Sequence, residues 1–341
     1  MAHRINMKDI AREAGVSVAT VSYIINKRSD QSIAPDTVAR VNEAIKKLGY
    51  VPNLGARALA NRKTRLIGLV IPQAETGSRM MLENSFYGEF IAVLEEVLRQ
   101  SGYSLLLSGE DVNKSYVELA RERALDGIVV VGLPADQDAR LLLEENIPLV
   151  FVDSYLEGNA YSSVNIQDEE GGYLACDYLI KNGHRNIAFV SGFLTQEGVN
   201  RKRFRGYGKA LSENGIGEKE EYVLSGRISY SYGIEAGRQI AAMKVRPTAV
   251  FATADILALG IMRGLKSEGL RVPRDVSLIG FDDGFLAMSA EPSLTSIHQD
   301  AGQKARVTAR LLFAQIDKGA ACIENLVLPL SLTVRDSVRR I

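Results

Sequence analysis

From Leu66 onward the chain repeats one pattern: a short continuous apolar run, then a longer segment with helical spacing. The runs are LIGLVIP (66–72), YSLLLSG (103–109), GIVVVGL (127–133) and PLVFVD (148–153). The cycle resumes with IAFVSG (187–192), YVLSG (222–226), TAVFAT (248–253) and VSLIGF (276–281). Runs without polar alternation are what strands covered on both faces require. Between them lie segments such as YGEFIAVLEEVLRQSG, whose apolar residues recur every three to four positions. This alternation, run twice, predicts an α/β body of two doubly wound parallel-sheet lobes. The two series meet near Ser163, and EPSLTSIHQD (291–300) reads as a connection back. The first lobe is therefore expected over about 65–163 plus 297–325, and the second over about 164–296 plus 326–341.

Sheets of this kind bind ligands outside the carboxyl ends of their strands. Polar residues follow apolar runs at those places: Asp153, Thr253 and Asp255, Asp282 and Asp283. Arg203, in NRKRFRGY, leads into a helix. Each alone is equally what a cap, a turn or a solvated charge would supply. As a set around one cleft, carboxylates accept hydroxyl hydrogens and an arginine donates to hydroxyl or ring oxygens, a chemistry suited to a polyol.

The 64 residues before this body are of another kind. Among the first 63, eleven are Lys or Arg and five are Asp or Glu, although the whole chain balances 41 against 41. A basic head on an acidic body implies a polyanionic partner for the head. Asn6, with Asp9 three residues on, is placed to cap a helix that buries Ile10, Ala11 and Ala14, and Gly15 supplies its left-handed stop. Ser17 caps a second helix, whose spacing places Val18, Val21, Ile24 and Ile25 inward. Its outward face carries Ala19, Thr20, Ser22, Tyr23 and Asn26. A third helix runs from Pro35 to a stop at Gly49, with Val38, Val41, Ile45 and Leu48 as its stripe. Two helices joined by so short a turn form a helix-turn-helix, whose second helix fits the major groove. A helical hairpin that only packs or dimerises is the alternative. Asn53 then caps a segment, Leu54 to Asn61, too short to hold a helix in isolation. It would order only against a partner, presenting Leu59 among Arg57, Arg62 and Lys63 as an apolar wedge for a minor groove.

The set DIAREAGVSVATVS, IIN, LGYVPN and ARALA, in this order over residues 7–63, closely resembles the DNA-binding head and hinge of the LacI/GalR transcription regulators. The resemblance implies that Val18, Ala19 and Tyr23 face base edges and that Leu59 opens the central base step. It implies phosphate contacts for Asn6, Ser17, Thr20, Ser22, Asn26 and Asn53. It extends over the body through LIKNGHRNIAFVSG, RFRGY, DILALGIMRGLKSEGLRVPRDVSLIGFDD and PSLTSIHQD. There it implies a type I periplasmic-binding-protein-like fold, with Asp153, Arg203 and Asp282 holding an effector and Phe86 and Tyr87 closing one wall. Several positions depart from the family. Tyr23 stands where arginine is frequent, so one hydroxyl and a flat face replace a bidentate grip on guanine. Ala254 stands where some sugar-binding members have asparagine, and Ile228 where some have a stacking aromatic. With no Trp in the chain, stacking falls to Phe or Tyr, with Tyr230 and Tyr232 as candidates. The segment QAETGSRMMLE (73–83) is longer than usual and suggests an extra lid.

A carbohydrate-active α/β enzyme and a transporter's solute-binding protein are the rivals. No Gly-x-Gly-x-x-Gly opens a helix after a strand, and GYGKAL lacks the third glycine. No phosphate-binding Walker loop, no nucleophile elbow and no metal-ligand spacing occurs, so neither cofactor nor metal is expected. A solute-binding protein would need an export signal, whereas MAHRINMKD turns polar at once, and it would have no use for a basic head. Only Cys176 and Cys322 are present, which fits a reducing cytoplasm. No apolar run approaches about 18 residues, so no membrane partner is expected. His184 is read as structural, His298 as lying on the connection, His3 at a loose end, and the methionines and Phe90 as core. The expected protein is a dimeric repressor of a near-palindromic operator, controlled by a sugar-like small molecule between its lobes. No heptads trail LTVRDSVRRI, so no coiled-coil tetramer seam is expected.

Overall fold

The computed structural model describes residues 5–25, 32–50, 63–71, 84–109, 116–132, 147–155, 161–194, 198–318 and 322–341. Its contacts divide the chain into two compact units, 1–64 and 65–341.

In the first unit, helices α1 (Met7–Ala14), α2 (Val18–Ile25) and α3 (Pro35–Leu48) enclose one small core. Buried Ile10, Ala11, Ala14, Val21, Val41, Ala44 and Tyr50 form it. The caps are those expected. Gly15 and Gly49 end their helices at φ 66° and 61°, a region costly for any side chain with a Cβ. Pro35 opens α3, where its missing N–H is not needed. One inward expectation fails. Val18, at the first position of α2, is 41% exposed, while Val21, Ile24 and Ile25 pack on the core.

The second unit carries two six-stranded sheets. The first contains β1 (Leu66–Val70), β2 (Ser104–Ser108), β3 (Gly127–Val131), β4 (Leu149–Val152), β5 (Ser162–Ile166) and β11 (Asn325–Leu328), in the order β11-β5-β4-β3-β1-β2. All its pairings are parallel. The second contains β6 (Ile187–Gly192), β7 (Val223–Gly226), β8 (Ala249–Ala252), β9 (Ser277–Asp282), β10 (Thr295–His298) and β12 (Ser331–Thr333), in the order β12-β10-β9-β8-β6-β7. It is parallel except where β12 meets β10. The eight apolar runs are all strands. The segment around Ser163, read only as a meeting point, is itself β5. The segment read as a connection back contains β10. Both are polar strands whose hydroxyls have fixed partners inside: Gln315 donates to Ser162 Oγ at 2.9 Å, and Ser296 donates to Asp255 at 2.6 Å.

Helices α4 (Ser85–Gln100), α5 (Tyr116–Glu122) and α11 (Ala301–Lys318) cover the first sheet. Helices α6 (Asp168–Lys181), α7 (Val199–Glu213), α8 (Tyr230–Ala242) and α9 (Asp255–Ser267) cover the second. Phe90 is fully buried in the first core. The short α10 (Phe285–Ser289) buries only Ala287 and leaves Phe285 and Met288 on the surface, so Met288 departs from the expected core role. His184 is buried, its ring bonded to Thr248 Oγ1 at 2.9 Å and Arg339 O at 3.1 Å, which is a structural position. No described helix is long and apolar enough to cross a membrane.

One helix pair matters for the site. A Cβ on Gly172 of α6 would overlap the backbone of Arg203, and one on Gly206 of α7 would overlap the Glu169 carbonyl. Only glycine allows backbones this close, and the approach sets Arg203 against the first turn of α6.

Candidate functional site

Two sets of residues are candidates, one in each unit. In the first unit side chains fix the start of α1 and the turn into α2. Asn6 Oδ1 accepts from Lys8 N at 2.9 Å while Asp9 Oδ2 accepts from Asn6 N at 2.9 Å, a reciprocal cap. Ser17 Oγ accepts from Thr20 N at 3.1 Å and lies 2.9 Å from Thr20 Oγ1. Lys47 of α3 donates to Glu13 of α1 at 2.6 Å, which braces the pair from behind. Along α2, Val18 and Ala19 are exposed, and Thr20, Ser22 and Tyr23 are half-buried. The helix therefore presents short and aromatic groups, with none of the long charged chains that would hold it off a groove floor. Asn26, Asn53 and Leu59 lie outside the described residues, as do His3 and the segment 73–83.

In the second unit the carboxyl ends of the two sheets bring polar groups together. Asp153 follows β4 and Asp282 ends β9, both at positive φ, 51° and 108°. Non-glycine residues rarely adopt such values, and when they do they cluster at functional sites. Arg203 is buried; its Nε donates to Asp168 Oδ1 at 2.7 Å and its Nη1 to Thr253 O at 2.7 Å, with the guanidinium 3.5 Å from the centre of the Phe281 ring. Tyr155 closes the other side of Asp168 through a short hydrogen bond. Burial alone would lower the Arg203 pKa, but Asp168, Asp282 and Asp153 together outweigh it and raise it.

Asp282 is the least satisfied of the carboxylates. Its Oδ1 accepts from Gln299 at 2.6 Å, while its buried Oδ2 makes no hydrogen bond of ordinary geometry among the described residues, with the Asn84 side chain beside the carboxylate. Burial lifts its pKa from the usual carboxylate value to about 6, against the pull of Arg203, Gln299, Asn84 and Lys304. Asp153 stands at the strand end where the sequence puts it, with a partner that the sequence did not show. Both of its oxygens accept from the fully buried Lys304, at 2.7 and 3.0 Å. Burial raises its pKa and Lys304 opposes the rise.

Phe86 and Tyr87 begin α4 beside this cluster, held edge-to-face at 5.3 Å behind the Asn84 cap. Burial and the charges of Asp153 and Asp282 push the Tyr87 hydroxyl pKa up, which places all three in one environment. Ala254 is buried as the N-cap of α9, and Ile228 packs on the second lobe's core. Tyr230 is largely exposed, and Tyr232 lies against Gly226.

Other strand-end residues have structural duties. Asp255 accepts from Ser296 and from Gly284 N, and burial raises its pKa far above the usual range. Asp283 binds Thr333, His298 and Arg335. The residues missed in the sequence are Lys304, Gln299, Asp168, Tyr155 and Asn84. Lys304 left one legible signal: it falls on the same helical face as Ala301, Ala305, Thr308 and Leu311, where a solvated lysine would not belong.

Known proteins place both sets in one family. Residues 6–53 match the model of bacterial regulatory proteins of the lacI family, and residues 176–338 match a periplasmic binding protein-like domain. The chain is 34% identical over 340 residues to catabolite control protein A of Priestia megaterium, covering 98% of this chain and 99% of that one. Among solved structures, a transcriptional regulator CelR–cellobiose complex matches at 31% identity and TM-score 0.71, over 98% of this chain and 100% of that one. The lac repressor dimer bound to operator and the anti-inducer ONPF matches at 27% identity and TM-score 0.84, over 98% and 99%. With its helix-turn-helix and its two-sheet body on one chain, this protein belongs to the LacI family of bacterial transcription regulators.

Proposed function

We propose that the protein is a cytoplasmic repressor that binds a near-palindromic operator as a homodimer and answers to a small polyhydroxy molecule between its lobes. The observation that carries this reading is the pairing of two sites in one chain: a capped recognition helix with a short-chained outer face, and a buried carboxylate oxygen, Asp282 Oδ2, without a donor among the described residues. In this reading residues 1–51 form the head, 52–64 the hinge, and 65–341 the two-lobed body. Val18, Ala19 and Tyr23 read bases, with Leu59 as the wedge. Asn6, Ser17, Thr20, Ser22, Asn26 and Asn53 hold phosphates. Asp282 and Arg203 grip the effector, Phe86 and Tyr87 close one wall, and Ile228 and Ala254 give an apolar rim. Exposed Phe285 and Met288 on α10 support pairing through the body. A single head covers too little DNA for strong specificity, which also favours a dimer.

Control follows from linkage. A ligand that prefers one arrangement of the lobes shifts operator affinity by the ratio of its affinities for the two arrangements. The test selects operators from a randomised DNA library with the full chain. The winning duplex is then titrated in the presence of neutral sugars and sugar phosphates. The expected result is a two-fold-related site whose affinity changes with at least one compound. Turnover of a sugar without any DNA selection would replace this reading with the enzyme one.

A further inference from the structure

Lys304 has a role that no strand-end reasoning anticipates. An ammonium carries three N–H groups. Those of Lys304 point to Asp153 Oδ1 at 2.7 Å, Asp153 Oδ2 at 3.0 Å and Gln299 Oε1 at 2.7 Å, and the side chain is fully buried. Gln299 passes the chain on, its amide donating to Asp282 Oδ1 at 2.6 Å. Its ring neighbour is Phe86, whose centre lies 4.9 Å from Nζ. One internal cation thus neutralises the carboxylate at the end of the first sheet. One amide, that of Gln299, links it to the carboxylate at the end of the second.

We propose that Lys304 is the resident occupant of Asp153 and thereby withdraws that carboxylate from effector binding. It leaves Asp282 Oδ2 and the Arg203 guanidinium as the groups that read the effector. This rests on the reading of the body as an effector cleft. The consequence is a ligand chemistry. Asp153 with Lys304 and Asp168 with Arg203 are each balanced inside the protein. The remaining acceptor, buried Asp282 Oδ2, needs a hydrogen-bond donor and repels an anion. The effector is therefore a neutral molecule that brings one hydroxyl to Asp282, and it is not bridged between two free carboxylates. A sugar phosphate is disfavoured, because Lys304 has no hydrogen left to give and the charge of Arg203 is already balanced by Asp168.

The test uses the full chain and two measurements. First, ¹⁵N-lysine labelling of the ligand-free protein should show one side-chain ammonium whose hydrogens exchange slowly at neutral pH, absent from the double variant Asp153→Asn/Lys304→Leu. A spectrum with only fast-exchanging ammonium groups overturns the proposal whatever binds. Second, calorimetry with cellobiose, ribose and glucose, beside glucose 6-phosphate, compares wild type, the double variant and Asp282→Asn. The double variant removes both charges at once and orphans neither, and circular dichroism melts check that each variant is folded. A neutral probe that binds wild type should bind the double variant within about three-fold and lose at least thirty-fold in Asp282→Asn. Equal loss in both variants shows that Asp153 holds the ligand, and overturns the proposal. So does glucose 6-phosphate binding that disappears with Lys304. If no probe binds wild type and operator affinity never responds, the effector reading fails, and the ammonium signal still decides whether Lys304 occupies Asp153.

Discussion

Arg203 and Asp168 are joined at 2.7 Å because two helices touch backbone to backbone behind them. The pair is buried, so its geometry depends on how closely α6 and α7 can approach, and Gly172 and Gly206 set that distance. Replacing Gly206 by alanine puts a methyl group into the Glu169 carbonyl. Overpacking of this kind costs roughly 1–3 kcal/mol. Gly206→Ala should lower the unfolding free energy by that amount, read as a lower denaturant midpoint, and weaken effector binding, as Arg203 moves with its helix. Unchanged unfolding would show that the helices can part without cost.

Asp282 makes a second expectation, with a definite sign. Its carboxyl titrates near 3.8 in the unfolded chain and at about 6 in the folded one. Between those values the folded state binds more protons, so this group's stabilisation is full at low pH and is lost as pH rises through 6. Asp282→Asn removes the burden and should be more stable than wild type above pH 6, by up to about 2–3 kcal/mol. The two melting curves should converge below about pH 4. Effector affinity of the wild type should fall as pH drops below 6, because a protonated Asp282 no longer accepts as a carboxylate. A pH-independent stability difference between the two proteins contradicts this.

Lys304 taken away alone leaves Asp153 buried without a counter-ion. Breaking such a pair costs roughly 3–5 kcal/mol, whereas removing both partners is often near neutral. Lys304→Leu should therefore melt well below wild type, and Asp153→Asn/Lys304→Leu should recover most of the loss. Thermal or denaturant unfolding of the three proteins measures this directly, and equal stability of the single and double variants would count against a buried ion pair.

These residues also mark where the sequence was legible. The eight apolar strands were plain, because side chains packed on both faces must be apolar in almost any order. The strands β5 and β10, written SSVNI and TSIH, were not. Their hydroxyls are satisfied by Gln315 and Asp255, which lie more than forty residues away in the chain. Lys304 was hidden for the same reason, since its partner Asp153 comes 151 residues earlier. The placement of Asp282 at a strand end and of Arg203 in a helix is legible from position alone. The difference between Asp282, with one oxygen unpartnered among the described residues, and Asp153, with both oxygens on Lys304, depends on contacts between distant segments. In the head, the caps at Asn6, Gly15 and Ser17 are local and legible, whereas the exposure of Val18 is a matter of packing between helices.

Tyr23 offers a test of base reading. A phenol supplies one hydroxyl and a flat face, whereas arginine can hold guanine through two hydrogen bonds, worth about 1–3 kcal/mol of discrimination. Tyr23→Arg should move the preferred operator at one base pair per half-site in a randomised-library selection. Identical selected sites for both proteins would remove Tyr23 from the reading face.

Leu59, assigned as a wedge from the sequence, makes the complementary case. Leu59→Ala should weaken operator binding by at least ten-fold while leaving effector affinity in the body within two-fold. Anisotropy titration of labelled operator beside calorimetry separates the two.

The central claim is that occupation of the body changes the grip of the head on DNA. The direct measurement is an anisotropy titration of a selected operator with the full wild-type chain, alone and saturated with each sugar of the panel, repeated with Asp282→Asn. We expect at least one neutral sugar to shift operator affinity five-fold or more, with the shift gone in Asp282→Asn. Operator affinity that stays constant in the presence of a sugar shown by calorimetry to be bound would contradict the account.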